Sequence, residues 1–255
     1  MAMVKPMATI IPILMTEHAS QSALIKLLAF LSPAFPIGGF SYSHGLEKLV
    51  EDGTVHDPQS LQDWIEGILN YGAGRNDGIL LKESFNATSA GDVGAVKELI
   101  ELGLALQPSR ERHLEASAQG TAFIQTVAAA WAPGEETPAL DILAQLTDEA
   151  SDTCVKSWPL PVAIGTASAC HGISRHAVLA ASLQAFVSNL ISAAIRLVPL
   201  GQTDGQKVLA RLEPVILKTA ATIETLSLDD LGSATFLTDI ASMDHETQYT
   251  RLFRS

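Results

Sequence analysis

The chain has 255 residues, of which 47% are hydrophobic and 17% are charged, a composition typical of globular proteins and not of disordered ones. The formal net charge of −12 disfavours binding to the phosphate backbone of nucleic acids and favours basic partners or cations. The two cysteines, Cys154 and Cys170, imply no disulfide framework, and a reducing cytoplasm is the expected compartment.

Residues 1–21 form an N-terminal leader that we expect to be poorly ordered or covered by a partner. An apolar run follows Lys5, but Pro6 and Pro12 interrupt it and no small-residue cleavage site comes after it. A cleaved signal peptide is the lesser alternative. No window reaches the ~18 continuous apolar residues that a membrane span requires, so we expect no membrane association.

Beyond the leader, apolar residues recur at helical spacing, and no stretch alternates with a period of two. Asp57 followed by Pro58 is the clearest helix start, and Asn76 or Asp77, Asp92 and Ser174 are further capping candidates. We predict an all-α fold, a single-domain bundle of about nine or ten helices. In chain order, the main helices are expected at 22–31, 57–71, 76–85, 92–107, 109–131, 139–146, 159–172, 174–197 and 206–226, with a short last helix from 227.

The predicted helix at 174–197 is apolar or alanine-rich on nearly all sides, and we expect it to be the central helix. In the helix before it, Gly165, Ala169 and Gly172 are small residues at helical spacing that allow a close approach to a neighbour. Pro214 is expected to kink or split the helix at 206–226.

Residues 32–48, S-P-A-F-P-I-G-G-F-S-Y-S-H-G-L-E-K, form the most distinctive stretch, which we call the signature loop. Pro33 and Pro36 favour extended neighbours, and Gly38 and Gly39 permit positive φ, so an irregular segment is predicted. A short helix should follow and end before Gly53, with residues 41–44 in its first turn.

The signature loop closely resembles the signature of the urease accessory protein family UreF. Three further blocks match that family in the same order: W-P-L-P-V-A-I-G at 158–165, R-L-V-P-L-G-Q-T-D-G-Q at 196–206, and H-E-T-Q-Y-T-R-L-F-R-S at 245–255. The resemblance extends from about residue 24 to the last residue. It suggests a UreF-like helical domain at 22–244 and a C-terminal tail at 245–255.

Membership of that family implies a non-enzymatic scaffold that works as a homodimer in assembly of the nickel centre of urease. Such a protein binds UreD, also called UreH, and recruits the GTPase UreG to apo-urease. The resemblance also implies that no cofactor is tightly bound and that nickel is handled by the complex. A homologue of this kind needs no nucleotide site of its own.

The residues themselves give little support for a catalytic function. A phosphate-binding loop is not matched, because the nearest stretch, Gly201 to Lys207, has the wrong spacing. The serine-hydrolase elbow is not matched at 38–44 either. For metal, Cys170 beside His171 is better read as a core cysteine next to an ordinary histidine, and His44 as a hydrogen-bonded loop residue.

We predict that residues 40–47 of the signature loop and the tail at 245–255 form partner-binding surfaces, with the tail becoming ordered on contact. Leu252 and Phe253 would then be buried by the partner, offsetting the entropy lost on ordering. The alternatives are a helical interaction module unrelated to urease, and a small hydrolase or metal-dependent lyase using His44 or Cys170 and His171. The predicted partner-binding residues are Phe40, Tyr42, Ser43, His44, Glu47, His245, Glu246, Arg251, Leu252, Phe253 and Arg254.

Overall fold

The computed structural model describes residues 21–131 and 138–255 of the chain. The predicted leader, residues 1–21, lies outside these ranges except for its last residue, where the first helix begins. The helices are α1 (Gln21–Phe30), α2 (Leu46–Glu51), α3 (Pro58–Tyr71), α4 (Ala73–Ser89), α5 (Val93–Ala105), α6 (Arg110–Ala130), α7 (Pro138–Thr147), α8 (Leu160–Cys170), α9 (Arg175–Leu197), α10 (Gln202–Ile223) and α11 (Phe236–His245). No strand occurs in the described ranges, and the predicted all-α, single-domain fold is confirmed.

The start of helix α3 was predicted correctly because the residues that cap it are adjacent in the chain. The Asp57 carboxylate accepts a hydrogen bond from the Ser60 backbone N–H at 2.8 Å, and Ser60 Oγ accepts one from the Asp57 N–H at 3.1 Å. This reciprocal capping box, together with Pro58 in the first turn, fixes the start of α3 at the predicted place.

Three predicted helix starts outside the signature loop are wrong. Helix α4 begins at Ala73 and not at Asn76 or Asp77, because Gly72 both ends α3 and precedes α4, which leaves no loop for a cap. Ser227 caps only a 3₁₀ turn, Leu228–Asp230, and the last helix begins nine residues after it. Helix α10 also begins before residue 206 and continues through Pro214 without splitting.

The central helix is α8 and not, as predicted, α9. Nine of the eleven residues of α8 are buried, because it packs between α4 and α6. Gly165 permits this, since a Cβ there would lie 2.1 Å from Ser84 Oγ and 2.3 Å from the Leu81 carbonyl oxygen of α4. The predicted close approach at Gly165 is therefore confirmed.

Helix α9 is the one described helix that is long and apolar enough to cross a membrane by length and composition. One face of α9, including Leu183, Val187 and Leu190, is buried in the hydrophobic core against α10 and α4. That packing accounts for its apolar composition as a core helix.

Candidate functional site

The signature loop does not form the predicted helical turn at 41–44. Gly38 and Gly45 adopt positive φ (69° and 77°), and His44 is the one non-glycine residue with positive φ (60°) in the described ranges. Consecutive left-handed residues at 44 and 45 exclude a right-handed helix there, so α2 begins only at Leu46. A Cβ on Gly45 would lie 3.0 Å from the backbone nitrogen of Ser242, so this glycine lets α11 pack directly on the loop.

The structure separates the predicted loop residues into two groups. Phe40 is 69% exposed, whereas Tyr42, Ser43, His44 and Glu47 are all buried. The four buried residues cannot contact a partner unless the chain rearranges. Two of them, Ser43 and Glu47, instead contact the chain's own C-terminal part.

Glu47 is the first of three carboxylates that hold the tail. It accepts hydrogen bonds from the backbone N–H groups of Leu252 (2.6 Å) and Phe253 (2.9 Å), and His245 Nε2 lies 3.1 Å from Oε2. The side chain of Glu47 is buried, so these contacts satisfy a carboxylate that has little access to water.

Glu111, in the first turn of α6, is the second carboxylate. It lies 2.6 Å from His245 Nδ1 and accepts a hydrogen bond from Arg251 Nη1, also at 2.6 Å. His245 is fully buried between Glu47 and Glu111, one carboxylate at each ring nitrogen. Glu246 accepts a hydrogen bond from the Arg110 N–H at 2.8 Å and so ties the end of α11 to the start of α6.

Glu115 is the third carboxylate and joins the tail to the signature loop. It accepts hydrogen bonds from Ser255 Oγ (2.6 Å) and Gln119 Nε2 (3.1 Å), pairs with Arg112, and lies 3.0 Å from His44 Nδ1. Burial alone would raise the pKa of Glu115, but Arg112 and His44 outweigh it and hold that pKa well below its usual range. Burial, with Arg112 adding to it, lowers the pKa of His44 despite the nearby Glu115.

The end of the tail is inserted into the chain itself. Phe253 is only 4% exposed, and the Arg196 guanidinium stacks 4.2 Å from its ring centroid. The Arg254 N–H donates to the Ser41 carbonyl oxygen, and the Ser43 N–H to the Ser255 oxygen, both at 2.8 Å. These contacts anchor the last three residues to the signature loop.

These positions correct one expectation. We expected the tail to become ordered on a partner that buries Leu252 and Phe253, but the chain already buries Phe253 beneath α9. Its neighbour Leu252 is 61% exposed. Arg251 and Arg254 are also exposed, and a partner-binding role of these three residues stays a prediction.

The outer face of α11 is a feature that we did not predict. It presents four exposed apolar side chains, Phe236, Leu237, Ile240 and Met243. Their i, i+1, i+4, i+7 spacing in the sequence is the signal of an apolar helix face and would have identified it. The opposite face is attached to the domain by Ser242 and by Thr238, whose Oγ1 accepts a hydrogen bond from Trp64 Nε1 at 3.0 Å.

The other candidate chemistry, Cys170 beside His171, lies in the core. Cys170 Sγ donates to the Ala139 carbonyl oxygen at 3.0 Å, and burial raises the pKa of this thiol to about 12. Burial, together with Lys26, lowers the pKa of His171 to about 4. Among the described residues, no three His, Cys, Asp or Glu side chains form a group suited to holding a metal ion.

Comparison with known proteins gives a consistent result. The UreF family profile matches residues 55–213. Two proteins called urease accessory protein UreF, from Rhodopseudomonas palustris strains BisA53 and HaA2, are 49% identical over 237 residues and 50% identical over 250 residues. These alignments cover 93% and 98% of this chain and 95% and 100% of the relatives. A third protein of that name, from Bradyrhizobium sp. strain BTAi1, is 48% identical over 241 residues, covering 94% of this chain and 95% of its own length.

Proposed function

The chain belongs to the UreF family of urease accessory proteins, and from this we propose that it is a non-enzymatic scaffold for assembly of the urease nickel centre. In this proposal it binds UreD (UreH), and through that complex it brings the GTPase UreG to apo-urease. It acts as a homodimer in the cytoplasm. Nickel is cargo of the assembled complex and not a resident cofactor of this chain.

The observation that carries the proposal is the apolar face of α11, followed directly in the chain by the tail. Exposed apolar side chains on one helix face are the usual anchors for a helix that lies in the groove of a partner. Leu252 adds an exposed apolar side chain a few residues beyond the helix. We propose that UreD covers these residues.

The contacts of the three carboxylates support this assignment, because they order the tail before any partner arrives. Fixing the backbone costs about 1–2 kcal/mol per residue, and a partner that meets an already fixed segment does not bear this cost. Glu47 holds the backbone N–H groups of both Leu252 and Phe253 and thereby fixes the position of Leu252. The tail therefore contributes a preformed surface.

The exposed face of α11 can be tested without disturbing the core. We expect Leu237→Glu to weaken co-purification with UreD by at least about tenfold, because a charge is placed where an apolar anchor should be buried. Leu217→Glu is the matched control, since Leu217 is an exposed leucine on a different helix, α10. Circular dichroism of both variants should match that of the wild type.

Two outcomes would contradict the assignment. If Leu237→Glu and Ile240→Glu retain UreD at the wild-type level, α11 is not the UreD surface. If Leu217→Glu loses UreD as well, the loss reflects a general effect of added negative charge. Recruitment of UreG should be measured in the same samples, because the proposal requires it to fall together with UreD binding.

A further inference from the structure

A cavity of about 70 Å³ lies between the start of α4, the residues just before α6, and the segment that leads into α11. Leu106 and Ser233 line it and are exposed, so the cavity reaches the surface beside α11. Thr238, Asp239 and Ser242 of α11 also line it. The cavity therefore adjoins the helix whose outer face we assign to UreD.

The wall of this cavity carries an excess of negative charge. Asp77 and Asp239 are its carboxylates, and Arg112 is the one arginine or lysine among the described residues that line it. Arg112 is already paired with Glu115 and lies 2.7 Å from His44 Nδ1. Because Glu115 offsets the charge of Arg112, the charge of the two aspartates is not balanced within the cavity.

Asp77 is the carboxylate without a counterpart. Within the described ranges it makes no hydrogen bond or ion pair, whereas Asp239 accepts a hydrogen bond from Ser233 Oγ at 3.0 Å. Burial raises the pKa of Asp77 to about 6, against the opposing effect of Arg112. An ionised carboxylate in this position destabilises the isolated chain, and a cation that reaches it relieves that cost.

A second polar group on the wall is also unsatisfied. His44 is only 8% exposed, and its Nε2 is buried without a hydrogen-bond partner within the described ranges. Its Nδ1 is engaged, because Arg112 and Glu115 both lie within 3.0 Å of it. An apolar occupant would leave His44 and Asp77 unpaired. The lining therefore favours a polar occupant, and the aspartates favour a positively charged one.

We propose that this cavity receives the side chain of a lysine or arginine from the protein that covers α11, which in the proposed function is UreD. The ammonium or guanidinium group forms an ion pair with Asp77. The side-chain oxygens of Asn76, Gln107 and Thr235 line the same cavity and can accept its remaining N–H groups. This inference rests on the proposed function and adds to it the chemistry of the partner: a basic side chain beside the apolar residues that cover α11.

Two observations favour a partner's side chain over a free inorganic cation. The net charge of −12 favours a basic partner for the chain as a whole. The cavity also lies next to exposed apolar side chains of α11, Leu237 and Ile240 among them. A charge pair at the edge of an apolar contact fixes the register of the two surfaces and excludes partners without the matching charge.

The test measures UreD binding by the full chain after one carboxylate is neutralised. Asp77→Asn keeps the shape of the side chain, and we expect it to bind UreD at least about tenfold more weakly, because the partner's basic side chain is then desolvated without a counter-ion. The same variant should resist unfolding better than the wild type when it is alone, since it removes an unpaired charge. A purely structural defect would not combine weaker binding with a more stable chain.

Asp204→Asn is the matched control, because Asp204 pairs with Lys207 at the surface of α10 and its replacement removes the same charge. Asp239→Asn is the second variant, and we expect it to weaken UreD binding at least about threefold. Asparagine can still accept the hydrogen bond from Ser233 Oγ, so the segment before α11 should keep its structure. If Asp77→Asn folds poorly, Asp239→Asn decides the question alone.

Leu237→Glu, measured in the same series, separates this inference from the proposed function. The inference is overturned if Leu237→Glu loses UreD while Asp77→Asn binds it like the wild type, and the α11 surface then stands without the charge pair. If Leu237→Glu retains UreD, the α11 assignment fails and this inference fails with it. Equal weakening by Asp77→Asn and Asp204→Asn also overturns the inference, because the effect then comes from net charge alone.

Discussion

Replacing Glu47 by alanine should release the tail while the helical domain stays folded. In the wild type this carboxylate accepts two backbone N–H groups of the tail and contacts His245. The variant leaves these three groups without an acceptor. The tail can regain water for them by detaching, which costs the domain little beyond the burial of Phe253.

The size of the effect follows from these three contacts. Two hydrogen bonds at about 1 kcal/mol each and one charge-assisted contact at about 1.5–3 kcal/mol sum to roughly 3.5–5 kcal/mol. Even the lower figure raises the population of detached tail by about 10²-fold, since 1.4 kcal/mol is a factor of ten in an equilibrium constant. The measured change should therefore be large.

Limited trypsin digestion with mass spectrometry measures this population, because cleavage follows the open fraction when opening is fast. We expect cleavage after Arg251 to accelerate by at least about two orders of magnitude in Glu47→Ala. Glu51→Gln is the control, since Glu51 pairs with Lys48 at the surface of the same helix. Equal cleavage rates in Glu47→Ala and wild type would refute the idea that Glu47 retains the tail.

Two further predictions concern stability. Asp77→Asn should raise the free energy of unfolding at neutral pH by at most about 3 kcal/mol. The reason is that burial raises the pKa of the Asp77 carboxyl from 3.8 to about 6, so the wild-type fold loses stability as pH rises through that window. Urea titrations between pH 4 and 6 should therefore show a smaller loss of stability in the variant than in the wild type. Gly165→Ala should lower the melting temperature sharply, because its Cβ would clash with Ser84 and Leu81, whereas Gly67→Ala, which has open space, should be neutral or stabilising. Equal melting temperatures for the two glycine variants would contradict the packing of α8 on α4.

Local signals predicted most of the helices, whereas the contacts that hold the tail depend on residues far apart in the chain. The start of α3 needs only residues 57–60, which are adjacent in the chain, and the prediction was correct. The sequence pointed to α9 as the central helix because α9 is an apolar helix of 23 residues, whereas α8 has only 11. The short length of α8 hid its central position, although α8 is itself strongly apolar. Central position is set by neighbours on all sides and not by composition alone.

The contacts of Glu47 and Glu115 with the tail could not be predicted from sequence patterns, which relate only residues close together in the chain. Glu47 and His245 are separated by 198 residues, and Glu115 and Ser255 by 140, so no spacing rule connects them. The left-handed conformation of His44 was hidden in the same way, because it depends on how α11 packs against Gly45. In contrast, the apolar face of α11 was readable from four residues within eight positions and was overlooked.

The placement of these carboxylates indicates what they do. Burying a carboxylate is costly, and well-packed apolar residues often stabilise a core more than an ion pair does. Glu47, Glu111 and Glu115 lie between the domain and its last residues, outside the contact of α4 with α8, so they contribute little to the main core. Their hydrogen bonds instead select one backbone path, with Phe253 inside and Leu252 outside. Substitutions at these positions should therefore weaken the binding that we propose for UreD before they lower the stability of the helical domain.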